Sequence, residues 1–324
     1  MHTIQTLKDQ IEATIEALQF PSHPVELYDP IRYTMALGGK RIRPLLTLVG
    51  YGLYANEVAT ALKPAVAVEM FHNFTLLHDD IMDQAPLRRG KPTVHHQWNT
   101  NIAILSGDVM LVNAYELFDE VPNQHYKQVI QHFNRCAAEV CEGQQWDMNF
   151  ETLPQVTESQ YIEMIRLKTA VLLGFALALG GILGGASAED ITLLRNFGEN
   201  IGIGFQLKDD LLDVYGEADK FGKQVGGDIL ANKKTFLLIK ALEMATGDTA
   251  TKLQHWLSQK QFDPQEKVRA IKEIYNNLGI ETLTKQKIQS FFDIAFTQFD
   301  RIHVSDERKK PLKQLMQDLI EREN

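Results

Sequence analysis

Apolar side chains recur along most of this chain at the three-to-four-residue spacing of a helix. Ile4, Leu7, Ile11, Ile15 and Leu18 form one stripe between Thr3 and Leu18, the mark of an amphipathic helix. Pro21 and Pro24 end it. Arg43-Pro44 opens a second helix through Tyr54, since proline suits a first turn. Lys63-Pro64 opens a third, apolar on nearly every side as far as Asp83, as expected of a helix buried within a bundle. Further helices are predicted over 101–118, 124–147, 158–185, 188–215 and 232–245, with several more up to 322. β-branched alternation and Asn-Gly turns are nearly absent. The pattern predicts an all-α protein of roughly ten or more helices.

Length alone would allow about two domains. No Pro/Gly/Ser-rich linker, low-complexity run or block of like charge marks a boundary, so one domain over 1–324 is expected. Apolar residues at 44% supply an ample core. The net charge of −9 argues against nucleic acid, whose phosphates call for a basic surface. An anionic ligand must then be held by local basic residues, not by the overall field. Cys136 and Cys141 form no CxxC pair, and no secretory leader follows Met1. They read as reduced thiols of a cytoplasmic protein. Ala170 to Ser187 carries no charge across 18 residues, the lower edge of spanning length. The pairs Gly180-Gly181 and Gly184-Gly185 favour a buried helix with close backbone packing over a membrane span.

Two acidic segments change the picture. Asp79-Asp80-Ile81-Met82-Asp83 and Asp209-Asp210-Leu211-Leu212-Asp213 repeat the spacing D-D-x-x-D at the C-terminal ends of long apolar helices. In a helix the first and third acids lie about 40° apart, the second and third about 60°. At an effective dielectric near 20, two such charges about 4 Å apart repel by roughly 4 kcal/mol. The negative end of the helix dipole adds to the repulsion. A bound cation relieves it. Magnesium suits best, being a hard ion held by one or two carboxylates plus substrate phosphates. Neither the His/Cys ligands of zinc nor the D-x-D-x-D-G loop of calcium surrounds these acids.

Basic residues lie close by. Gly38-Gly39-Lys40-Arg41-Ile42-Arg43-Pro44 runs a flexible loop into a helix N-terminus, a ready anion site. Arg88-Arg89-Gly90-Lys91 follows the first acids, while Lys223 and the run Asp228 to Thr235, with Lys233 and Lys234, follow the second.

These residues together resemble the trans-isoprenyl diphosphate synthases, or polyprenyl synthetases, over about Gly38 to Thr235. The resemblance rests on Gly39-Lys40-Arg41-x-Arg43-Pro44, His72, the first acid set and Arg88-Arg89-Gly90. It continues through Gly143-Gln144, Lys168-Thr169, Gln206 with the second set, Gly222-Lys223, Asp228, Lys233 and Thr235. It implies an all-α fold around a central active-site cavity, a homodimer, and a transferase that condenses isopentenyl diphosphate head-to-tail with an allylic diphosphate (dimethylallyl, geranyl or farnesyl). Asp79, Asp83 and Asp209 would hold three Mg²⁺ ions, with Asp80, Asp210 and Asp213 as further candidates. Arg88, Lys168, Lys223 and Lys233 would grip the allylic diphosphate. Lys40, Arg43, His72 and Arg89 would bind isopentenyl diphosphate without metal, and Thr169 and Gln206 would turn oxygen dipoles toward a carbocation.

In this family the residues just before the first acids set product length. Phe74 and Thr75 lie five and four positions ahead of Asp79, roughly 6–8 Å along the axis. One aromatic followed by threonine resembles geranylgeranyl synthases of the archaeal pattern, giving C20. C15 is the alternative if Met70, Phe71 or Met110 closes the tunnel earlier, and C25 lies on the other side. A terpene cyclase would pair one acid set with N-x-x-x-S/T-x-x-x-E, and a silent regulatory subunit would have lost aspartates. Neither description fits two complete sets.

Overall fold

The computed structural model describes residues 2–216 and 226–321. Among them nearly every ordered element is a helix. In chain order these are α1 (Ile4–Glu16), α2 (Val25–Ala36), α3 (Ile42–Gly52), α4 (Ala59–Met82), α5 (Val94–Gln97), α6 (Thr100–Phe118) and α7 (Asn123–Thr152). There follow α8 (Glu158–Ile165), a π-helical turn (Arg166–Ala170), α9 (Val171–Gly184) and α10 (Ala188–Tyr215). The last are α11 (Gly227–Leu230), α12 (Phe236–Met244), α13 (Gly247–Ser258), α14 (Pro264–Asn277), α15 (Ile280–Asp300) and α16 (Asp306–Glu321). A two-residue hairpin pairs β1 (Leu87–Arg88) with β2 (Lys91–Pro92). Its turn residues Arg89 and Gly90 both sit at positive φ, as the tightest hairpin turns require. The all-α expectation holds.

The helices gather into two compact units. One comprises Met1–Cys136, Leu172–Arg195 and Ile302–Asp318, the other Ala137–Val171, Asn196–Arg301 and Leu319–Asn324. Most of their boundaries fall inside helices; the one at Arg301/Ile302 falls between α15 and α16.

In the first unit α4 is the central element, packed against α1, α3 and α6. Val66, Val68, Met70, Phe71 and Leu77 are buried along it. Phe133 joins Phe71, Phe118 and Phe175 in one aromatic cluster, with ring centroids 4.8–5.7 Å from it. Helix α9 approaches α3 through its glycines. A Cβ at Gly184 would stand 3.1 Å from Tyr51 O, and one at Gly180 would overlap Thr47 O. The uncharged stretch is thus a core helix with close backbone packing. Residues Glu158–Gly184 are long and apolar enough to cross a membrane by length and composition, yet 78% of their most apolar window is buried.

In the second unit α15 packs against α12 and α14. Phe197 and Phe299 meet at 5.0 Å between centroids, Phe205 and Phe292 at 5.8 Å. A Cβ at Gly202 would lie 2.7 Å from Ala170 Cα, so that close approach requires glycine.

Three boundaries differ from the sequence reading. Helix α2 is unannounced because Pro24 and Pro30 read as breakers, yet Pro24 is its N-cap and Pro30 lies inside it. Burial of Ile31 and Met35 compensates for the lost backbone bond. Helix α4 begins at Ala59, so Pro64 sits within it and not at its start. The helix expected over 158–185 is interrupted by the π-helical turn, a feature that often marks functional positions.

Candidate active site

The first acid set ends α4, with Asp83 as its C-cap. Asp79 keeps 19% of its side chain exposed and Asp83 is exposed, but Asp80 turns inward to 6%. There Arg88, brought back by the hairpin, donates from Nε to both Asp80 oxygens at 2.7 and 2.9 Å. Its Nη2 lies 2.6 Å from Asp80 Oδ1 and 3.7 Å from Asp79 Oδ2. Burial raises the Asp80 pKa, and Arg88 opposes the shift. The middle acid therefore has a structural partner, which the spacing argument did not foresee.

The Gly38-Gly39 loop and the start of α3 form a basic cradle in the same unit. Lys40 is exposed. Arg43 Nη1 stands 3.0 Å from His72 Nε2 on α4. Burial, then the positive fields of Arg43, Arg89, Arg88 and Arg41, hold the His72 pKa well below the usual imidazole value. A neutral His72 can accept from Arg43. Burial also lowers the Arg43 pKa, to about 10, and its buried Nε finds no hydrogen-bond partner among the described residues. Arg89 donates to Gly38 O, and a Cβ at Gly39 would fall 3.0 Å from the Arg89 Cζ. Gly39 also sits at φ 148°, a backbone conformation that favours glycine. Arg43, His72 and Arg89 are thus brought together, beside the loop that carries the exposed Lys40.

The second unit carries the other predicted residues. Lys168 and Thr169 lie on the π-helical turn. Lys168 Nζ pairs with Asp147 Oδ2 at 2.6 Å. A Cβ at Gly143 would overlap the Lys168 backbone, which accounts for glycine on α7 there. Thr169 Oγ1 donates to Gln206 Oε1 at 3.3 Å, and Gln206 Nε2 donates to Asp210 Oδ1 at 3.1 Å. The Tyr161 hydroxyl donates to the other Asp210 oxygen. Burial pushes the Asp210 pKa up to about 7, against the bonds from Tyr161 and Gln206. Asp209 is exposed. Asp213 accepts from the Asp228 N–H at 3.0 Å and so anchors α11. Lys233 is exposed, its neighbour Lys234 donates to Phe150 O at 2.6 Å, and Thr235 is the N-cap of α12. Gly222 and Lys223 lie outside the described residues.

Sequence reasoning missed four supporting groups: Glu69, Asp147, Tyr161 and Lys267. Glu69 had a legible signal, a lone acid in an otherwise apolar run of α4. Lys267 is fully buried, and its Nζ sits 2.7 Å from Asn232 Oδ1 and 4.1 Å from the centre of the Phe262 ring. It holds the left-handed turn at Asn232, φ 53°, just before Lys233.

No group of three or more His, Cys, Asp or Glu side chains among the described residues forms a protein-only metal cage. In the first unit the part-exposed Asp79 and exposed Asp83, and in the second the exposed Asp209, are carboxylates of the kind that suits an oxygen-seeking cation sharing its shell with phosphates.

Helical units carrying paired aspartate sets and basic anion cradles define a prenyl-transferring enzyme. Comparison with known proteins agrees. The family model described as polyprenyl synthetase matches residues 24–277, and the chain belongs to that family. It is 41% identical to geranylgeranyl diphosphate synthase of Methanosarcina mazei over 242 residues, 74% of this chain and 75% of that protein. The solved structure of geranylgeranyl pyrophosphate synthetase from Pyrococcus horikoshii superposes with a TM-score of 0.91 at 33% identity, covering 98% of this chain and 97% of that one. Geranylgeranyl pyrophosphate synthase from Corynebacterium glutamicum, solved with isoprenyl diphosphate and magnesium, gives 0.83 at 27% identity over 98% of each chain. The protein is a trans-prenyltransferase.

Proposed function

We propose that the protein condenses isopentenyl diphosphate head-to-tail with an allylic diphosphate and releases geranylgeranyl diphosphate, C20. The observation that carries this reading is the basic cradle, where a buried Arg43 Nε lacks a partner beside neutral His72 and the pinned Arg89. Such a site suits a diphosphate held without metal, and a diphosphate held that way is not activated to leave. The part-exposed Asp79 and the exposed Asp83 and Asp209 suit the opposite task.

The allylic C–O bond breaks with both electrons leaving on pyrophosphate. The isopentenyl double bond then attacks the resulting cation, and the new tertiary cation loses a proton to form the product alkene. Asp79, Asp83 and Asp209 would hold three Mg²⁺ ions, which supply charge neutralisation for the departing pyrophosphate. Lys168, Lys223 and Lys233 would grip that group, and so would Arg88, whose Nε and Nη2 lie on Asp80, leaving Nη1 as the nitrogen to offer it. Lys40, Arg43, His72 and Arg89 keep the second diphosphate in place. Oxygens of Thr169 and Gln206 face the cation. No protein group is placed as a base, and pyrophosphate takes the proton.

Phe74, 9% exposed, and the half-buried Thr75 bound the product. Met70 and Met110 are fully buried, which supports a floor at Phe74 over an earlier one. The exposed Leu105 and Val112, at 58% and 55% on α6, support a homodimer.

Chromatography of products from isopentenyl diphosphate, Mg²⁺ and each allylic primer tests the reading. A C20 product is expected, lost on chelation, with Phe74→Ala giving longer chains. Failure to turn over any primer would overturn the reaction, while an unchanged length in the Phe74 variant would move the tunnel floor.

A further inference from the structure

We propose that Arg41 is a positioning residue for the isopentenyl diphosphate cradle, fixing the backbone from which Lys40 and Arg43 project. This rests on the assignment of Lys40 and Arg43 to that substrate. Arg41 lies between them in sequence yet is 4% exposed, so it is not itself part of the open cradle. Its backbone is left-handed, φ 47° and ψ 39°, as the N-cap of α3. A side chain with a Cβ adopts that region only when its surroundings impose it. Here they do.

Every nitrogen of the guanidinium is engaged. Nε meets Glu12 Oε1 at 2.9 Å, Nη1 meets Glu69 Oε1 at 2.8 Å, and Nη2 donates to Met35 O at 2.9 Å. Arg41 thus ties the start of α3 to α1, to the end of α2 and to α4. Glu69 is fixed in turn by Asn73 Nδ2, 3.3 Å from its Oε1. One turn further along α4 stands His72, which meets Arg43 Nη1 at 3.0 Å. Two links from neighbouring turns of α4 therefore hold the first turn of α3, one a buried ion pair and the other a bond to neutral imidazole. The fork shape matters. A lysine at 41 would keep the charge but could not meet three acceptors lying in different directions.

The cradle must place two cations against one diphosphate without help from a metal, so small rotations of the turn at 41 translate directly into lost contacts. Loosening Arg41 should weaken isopentenyl diphosphate selectively. Steady-state kinetics of Glu12→Gln, Arg41→Lys and the control Arg43→Ala, with thermal unfolding of each, provide the test. Glu12 is 41% exposed, so its variant folds even where Arg41→Lys does not. We expect KM for isopentenyl diphosphate to rise about fivefold to tenfold in Arg41→Lys, the scale of one weakened charged hydrogen bond, and by a smaller factor in Glu12→Gln. KM for the allylic primer and kcat should stay within about twofold.

If Arg43→Ala raises that KM and the other two folded variants leave it unchanged, the positioning role is wrong and the cradle stands. If both KM values and kcat worsen together with a lowered melting temperature, Arg41 is merely structural and the proposal fails. If Arg43→Ala itself leaves KM unchanged, the assignment of the cradle fails first.

Discussion

The two aspartate sets share a spacing but handle their middle acid differently. Asp80 is buried against a cation, Arg88, which covers both its oxygens from Nε. Asp210 is buried among neutral donors, Tyr161 on one oxygen and Gln206 on the other. Burial raises both pKa values. At Asp80 a hydrogen-bonded countercharge opposes it, whereas at Asp210 the opposition comes first from the neutral Tyr161 donor and then from Gln206 and the field of Lys233, and its pKa reaches about 7. In each set the outer first acid, Asp79 or Asp209, stays more accessible than its buried neighbour. One five-residue pattern thus divides its carboxylates between two tasks: those left toward solvent suit a cation, and the buried one anchors the surrounding residues. In the first set its partner is a cation, Arg88. In the second it is a chain of neutral groups running through Gln206 to Thr169.

The largest effect should come from an outer acid. Asp79→Ala is expected to lower kcat by about a hundredfold or more at saturating Mg²⁺, the scale of removing a group that stabilises developing charge. Asp80→Asn should instead act mainly on stability, because its carboxylate is spent on Arg88. Full turnover by the Asp79 variant would sink the division of labour between outer and middle acids.

Removing the cation sharpens the contrast. Arg88→Met strands Asp80 in a buried position and should cost about 3 kcal/mol. That is the low end for breaking a buried pair, since Arg88 keeps 29% of its side chain exposed. Urea unfolding at unchanged slope reads this directly. A loss under about 1 kcal/mol would mean that Asp80 is neutralised some other way.

Much of this contrast was out of reach of the chain read as letters. Helix periods placed α1, α3, α6 and α10 within a residue or two, because each carries an apolar face flanked by recognisable ends. They failed at α2 and at the start of α4, where burial of neighbouring residues outweighs a proline. Arg88 was legible as a basic residue just after the first acids, though its pairing with Asp80 eight residues back was not. Tyr161 was not, being 49 residues from Asp210 and looking like any aromatic on an apolar face. The π-helical turn under Lys168 and Thr169 left no mark either; the close approach of Gly143 to its backbone comes from another helix. Local chemistry shows in sequence. Partners that meet only through packing do not.

The smallest predicted effect tests the neutral side of the comparison. Tyr161→Phe removes one donor from Asp210 but leaves Gln206 Nε2 at 3.1 Å. The phenyl ring refills the space, so no cavity term adds to the lost hydrogen bond. A cost of about 1–2 kcal/mol is expected for one buried bond to a carboxyl group, below that of Arg88→Met in the same urea titration. Because Gln206 also receives the Thr169 hydroxyl, a loosened Asp210 should disturb an amide proposed to face the carbocation. A modest fall in kcat with unchanged KM for isopentenyl diphosphate would show it. Were Tyr161→Phe to cost more than Arg88→Met, the neutral donors and not the cation would be the stronger anchor, and the ranking of the two acid sets would reverse.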